Sequence, residues 1–121
     1  MEKLTQARRA LSTLDDVLRQ PLDEFVRDAT LQRFEYTTEA VWKALQTHLR
    51  QREKVEERHP RGVFNTAFKL GLITEGHCLA LQAAVDDRNL TSHTYVEGLA
   101  KMIHARVPAH AQAFRELLAK L

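Results

Sequence analysis

Apolar residues recur along this chain at spacings of three and four, and nowhere do they alternate as they would in a half-buried strand. From Glu2 to Gln20, Leu4, Ala7, Leu11, Leu14 and Leu18 form one helical stripe, and Pro21 stops it by pushing the residue before it out of the helical region. A long pattern from Asp23 to Glu57 follows. Asp23 is its expected N-cap, and Phe25, Ala29, Phe34, Val41, Leu45 and Leu49 are its expected apolar face. At 1.5 Å per residue such a helix would run roughly 45–50 Å. That exceeds a small domain, so part of it projects or a second copy covers it. Glu35, Glu39 and Lys43 step by four along it, the last two as a favourable pair.

Pro60 suits the first turn of a short third helix, with Val63, Phe64, Ala67, Phe68 and Leu70 inward and Gly71 as its stop. Thr74 is the next N-cap. The fourth helix carries Leu79, Leu81, Ala84 and Val85 and ends near Asp87 or Arg88. A fifth pattern uses Val96, Leu99, Met102, Ile103 and Val107. Pro108 is expected to kink or restart it, and Ala111, Phe114, Leu117, Leu118 and Leu121 continue it. Gly98 inside it would make sense where another helix backbone comes close. The expectation is one all-α domain over 1–121, an antiparallel up-and-down bundle of about five helices, dimeric.

Between the fourth and fifth patterns lies Arg88-Asn89-Leu90-Thr91-Ser92-His93-Thr94-Tyr95. Thr94-Tyr95-Val96-Glu97 fits a capping box, which would begin a helix at Tyr95 and put His93 and Tyr95 at its N-terminus, where free N–H groups attract anions. Arg88 lies about one turn before the break, so its guanidinium could swing to the same spot. On spacing alone, residues in this pattern are usually surface positions or local caps.

Composition narrows the chemistry. With 121 residues, 44% apolar and 28% charged, the chain reads as globular, and four glycines and three prolines leave room for long helices. The net charge of +2 does not argue for nucleic acid by itself. The lone Cys78, the absence of a signal-peptide core after Met-Glu-Lys-Leu-Thr and the lack of a spanning apolar run fit a cytoplasmic protein without a membrane segment. The six histidines show no metal-ligand spacing; His48, His59, His104 and His110 read as surface or partly buried polar residues. The pairs Asp15-Asp16 and Asp86-Asp87 diverge on a helix. No Gly-rich phosphate loop exists, and no metal or cofactor is expected. The mixed charge run from Arg50 to His59 fits a solvated helix end, with phosphate contact as the alternative.

The stretch Arg88-x4-His93-x-Tyr95 resembles the Arg-x4-His-x-Tyr motif of the HEPN superfamily. Leu31-Gln32-Arg33-Phe34-Glu35-Tyr36, running on to Val41-Trp42-Lys43, resembles its nucleotidyltransferase substrate-binding branch, which includes the HepT toxins. The resemblance spans nearly the whole chain. It implies a toxin subunit, a homodimer with a cognate minimal nucleotidyltransferase as partner. It also implies a metal-independent endoribonuclease in which Arg88 and His93 of two protomers share a cleft. Chemically, histidine suits proton transfer at a 2′-hydroxyl and arginine suits the phosphate charge. Asn89, Thr91 and Ser92 would orient the phosphate or the pair. Tyr95 would be the adenylylation site; Val96 stands where the family often has an acidic residue. The chain lacks what a nucleotidyltransferase itself needs. The alternative is a non-catalytic substrate-binding subunit of a two-chain nucleotidyltransferase.

Overall fold

The computed structural model describes residues 2–121, and its regular elements are all helical. Helix α1 spans Glu2–Leu18, α2 Glu24–His48, α3 Pro60–Lys69, α4 Glu75–Leu90 and α5 Glu97–Leu118. They form an antiparallel bundle. Helix α2 is the centre, packing against α1, α3, α4 and α5. That is why its buried positions wrap widely around it, through Thr30, Leu31, Phe34, Thr37, Thr38, Val41, Ala44 and Leu45. Two of its buried threonines return their hydroxyls to the helix itself, Thr30 to the Val26 carbonyl at 2.7 Å and Thr38 to that of Phe34 at 2.9 Å.

Local signals place most helix ends. Asp23 accepts a hydrogen bond from Val26 N at 2.7 Å, and Thr74 accepts one from His77 N at 3.1 Å. Pro60 occupies the first turn of α3, and Gly71 ends its connection at φ +79°, a conformation that favours glycine. The core joins Leu14, Phe34, Leu45, Phe64, Leu81, Ile103, Val107 and Phe114.

Other expectations change. Helix α2 does not reach Glu57: a π turn at Leu49–Glu53 leads to Lys54 at φ +58°, where the chain turns out of the helix. The following segment returns to the bundle, with Gln46 Nε2 donating to the Glu57 carbonyl at 2.7 Å and Thr66 Oγ1 to Glu57 Oε1 at 2.8 Å. Phe25, Phe68, Leu70, Leu79, Val96 and Met102 are exposed rather than inward. Phe25 stands nine residues before Phe34, which at 100° per residue is about half a turn from the buried face. Helix α5 passes through Pro108 without restarting, because Pro108 lies on its exposed side. No atom lies within 4 Å of a Cβ built at Gly98, so no backbone approaches it within the chain. No described helix is long and apolar enough to cross a membrane.

Candidate functional site

The C-terminal end of α4 brings Asp87 and Arg88 to the middle of the bundle. Consecutive residues on a helix diverge by about 100°, so the two point to different neighbours. Arg88 turns to α2. Its Nε lies 2.9 Å from Glu39 Oε1, and its terminal nitrogen lies 3.8 Å from Glu35 Oε1. The Nε contact is off the N–H axis, so it is a charge contact rather than a linear hydrogen bond. Two carboxylates therefore face one guanidinium. Lys43, the expected partner of Glu39, instead lies over the Trp42 ring at 5.9 Å, while Trp42 Nε1 donates to Glu39 Oε2 at 3.1 Å.

After α4 the chain makes one 3-10 turn, Thr91–His93. The buried Thr91 hydroxyl shares its proton between Glu35 Oε2 at 2.8 Å and the Arg88 carbonyl at 2.6 Å. Thr94 Oγ1 donates back to the Thr91 carbonyl at 3.0 Å. The expected capping box is therefore absent. Thr94 has helical angles, and the extended residue before α5 is Val96, which makes no side-chain cap. Glu97 faces Arg27 at 3.8 Å and Lys101 at 3.4 Å instead of reaching back. His93 and Tyr95 thus precede α5 rather than lying in its first turn.

His93 is exposed, and its ring meets the Tyr95 ring edge-on with centroids 6.2 Å apart. Tyr95 is 82% exposed, and its hydroxyl has no hydrogen-bond partner among the described residues. Asn89 and Ser92 are exposed and make no side-chain hydrogen bonds among the described residues. The structure therefore brings His93 and Tyr95 together on the loop, but it draws Arg88 inward to α2.

Tyr95 also lines two neighbouring grooves. One, of about 480 Å³, is lined by Asp28, Leu31, Gln32, Glu35, Thr91 and Thr94. The other, of about 550 Å³, is lined by Glu24, Arg27, Asp28, Thr94 and Glu97. Both are richer in carboxylates than in cations. No group of three or more described His, Cys, Asp or Glu residues could hold a metal ion.

Two sets of neighbours escape a reading by local pattern. Glu35 and Glu39 carried a signal, since a spacing of four puts them on one helix face. Asp87 and His110 carried none. Asp87 is buried and bonded to His110 Nε2 at 2.7 Å and to Arg106 at 3.0 Å, and His110 is buried in the core rather than at the surface or partly buried.

The family model for nucleotidyltransferase substrate-binding-like proteins matches residues 2–121. A crystal structure of a Thermus thermophilus protein is similar with a TM-score of 0.89 at 42% identity, covering 93% of this chain and 96% of that one. A tri-AMPylated Shewanella oneidensis HEPN toxin, solved in complex with its MNT antitoxin, is similar with a TM-score of 0.79 at 20% identity, covering 98% and 92%. A mutant of the MntA–HpeT toxin–antitoxin pair gives a TM-score of 0.81 at 20% identity, covering 98% and 93%. No functionally curated protein matches the chain.

Proposed function

Because the chain belongs to the nucleotidyltransferase substrate-binding-like family and has the fold of a HEPN toxin, we propose that it is the HEPN-type subunit of a toxin–antitoxin pair whose partner is a minimal nucleotidyltransferase. The observation that carries this reading is Tyr95: it is 82% exposed, unbonded, and on a loop beside His93. A phenol so placed can enter another enzyme's site. Tyr95 Oη attacks the α-phosphorus of ATP, the new O–P bond forms, the bond to the β-phosphate oxygen breaks and pyrophosphate leaves. The phenolic proton passes to a base of the partner or to water. The bulky phosphodiester formed then stands beside His93.

For the toxin activity of this subunit we propose metal-independent RNA cleavage by a homodimer. His93 of one protomer takes the 2′-hydroxyl proton as that oxygen attacks the adjacent phosphorus. His93 of the second protomer protonates the departing 5′-oxygen, leaving a 2′,3′-cyclic phosphate. Arg88 stabilises charge on the phosphorus oxygens once it turns from Glu35 and Glu39. Asn89 and Ser92 are free to bond a phosphate; the Thr91 hydroxyl is committed to the protein.

A specific observation favours the second reading, a non-catalytic substrate-binding subunit. Arg88 already faces two carboxylates, and both grooves at Tyr95 are acidic. One experiment separates the readings. Purified dimer is incubated with labelled RNA in excess chelator beside Arg88→Ala and His93→Ala. Separately, wild type and Tyr95→Phe are incubated with the cognate nucleotidyltransferase and MgATP, and intact masses are measured. Cleavage lost in both variants, with AMP added only to the wild type, is expected. A folded, unmodified dimer that leaves RNA intact would transfer the assignment to the binding subunit. Equal AMP addition to Tyr95→Phe would remove Tyr95 from either role.

A further inference from the structure

Asp87 is the one buried carboxylate among the described residues, and it immediately precedes Arg88. Both of its oxygens are engaged from α5: Oδ2 meets His110 Nε2 at 2.7 Å, and Oδ1 accepts from Arg106 at 3.0 Å. Arg106 and His110 stand four apart, on one face of α5. The His110 ring stacks on Phe34 of α2 at 5.3 Å and 20°, and Phe34 also stacks on Phe114 at 6.3 Å. Phe34 adjoins Glu35, which holds Thr91 and faces Arg88. Three helices therefore meet around one carboxylate, and the residue after it is the motif arginine.

Burying such a pair is a poor route to stability. Desolvation opposes the attraction, and well-packed apolar side chains of similar volume often do as well or better. What a doubly bonded carboxylate supplies is a unique register: it accepts only at the angle and depth that its donors define. Asp87 fastens the last turn of α4 to α5, while Arg88 reaches from the same turn to α2.

We propose that Asp87 and His110, assisted by Arg106, are positioning residues that set where Arg88 is presented. The proposal rests on the reading of Arg88 as the phosphate-binding residue for its consequence in RNA cleavage. Its structural part does not depend on that reading.

The test separates positioning from folding. Asp87→Asn and the double variant Asp87→Leu/His110→Leu are compared with wild type by thermal melting and by the Arg88 Nε–Hε NMR signal, assigned from its loss in Arg88→Lys. The double variant is expected to melt at or above the wild-type temperature, as apolar replacements of buried ion pairs often do. In both variants the Arg88 signal is expected to move to the position of a freely solvated arginine. RNA cleavage is expected to fall by roughly ten-fold or more, since small misplacements of catalytic groups have effects of that size. If neither variant folds, Arg106→Met at its half-exposed position is expected to shift the Arg88 signal in the same direction but less. An unchanged Arg88 signal in a folded variant overturns the proposal. If the wild-type dimer cleaves no RNA, the ribonuclease reading fails while the Arg88 signal still decides the positioning.

Discussion

Arg88 and Tyr95 are seven residues apart, yet they stand in opposite surroundings. Around Arg88 the chain is tied from every side: Glu35 and Glu39 face the guanidinium, Thr91 bonds the Arg88 carbonyl, and Asp87 beneath it is held by His110 and Arg106. Around Tyr95 there is a ring contact with His93, groove on two sides, and no hydrogen bond to the side chain among the described residues. Within one short stretch, then, Arg88 is drawn into the bundle by carboxylates of another helix, whereas Tyr95 is 82% exposed.

Four measurements test this contrast. The largest effect is expected at Phe34→Ala, which removes the ring stacked between His110 and Phe114 and leaves a cavity in the core. A loss of about 3–5 kcal/mol by denaturant unfolding is expected; a loss under ~1 kcal/mol would mean that the three-helix junction is not where the bundle is held. Asp87→Ala comes next. It strands a buried imidazole, although Arg106 can turn to water, so roughly 2–4 kcal/mol should go. Urea melts compared with those of Asp86→Ala would show whether the cost belongs to Asp87 alone. Asp86 lies exposed with Arg61 as its partner and should cost about 0–1 kcal/mol.

His104 gives a smaller, pH-dependent effect. Desolvation, and then the charge of Arg27, lower its pKa below the ordinary histidine value. The neutral ring is therefore the one the fold favours. Its stability contribution is complete above pH about 6.5. It falls away as pH drops through the window between that value and the lowered one. Melting temperatures recorded from neutral to mildly acidic pH should decline more steeply for wild type than for His104→Gln; parallel curves would contradict the assignment. The smallest change is expected at Tyr95→Phe. With no bonded hydroxyl and most of the ring in water, unfolding free energy should stay within about 0.5 kcal/mol. A loss above ~1 kcal/mol would show that the loop is held after all, and the contrast with Arg88 would fail.

The same contrast explains which features were legible along the chain. The stripe of α1 through Leu14, the caps at Asp23 and Thr74, Pro60 in the first turn of α3 and Gly71 as its stop depend on residues within a turn of one another and appear as expected, while in the last turn of α1 Val17 is buried and Leu18 only partly so. The motif residues were found by their resemblance to a family, and their position between α4 and α5 follows from the helical periods on either side. The capping box at Thr94 misled because the 3-10 turn holds Thr94 at helical angles, so the extended cap position falls two residues later, at Val96. Phe25 and Leu79 misled because period identifies an apolar residue but not whether a neighbouring helix extends far enough to cover it.

The number and type of the helices, most of their ends, and the polar loop with His93 and Tyr95 between α4 and α5 are written in the local pattern of residues. These follow from steric and hydrogen-bonding preferences that act within about one turn. That Arg88 faces Glu35 and Glu39, that Asp87 is buried against His110, and that Tyr95 is exposed are consequences of helix packing. Those pairings join residues 49 to 53 and 23 positions apart, where contact is set by how three helices pack around Phe34 rather than by any local preference.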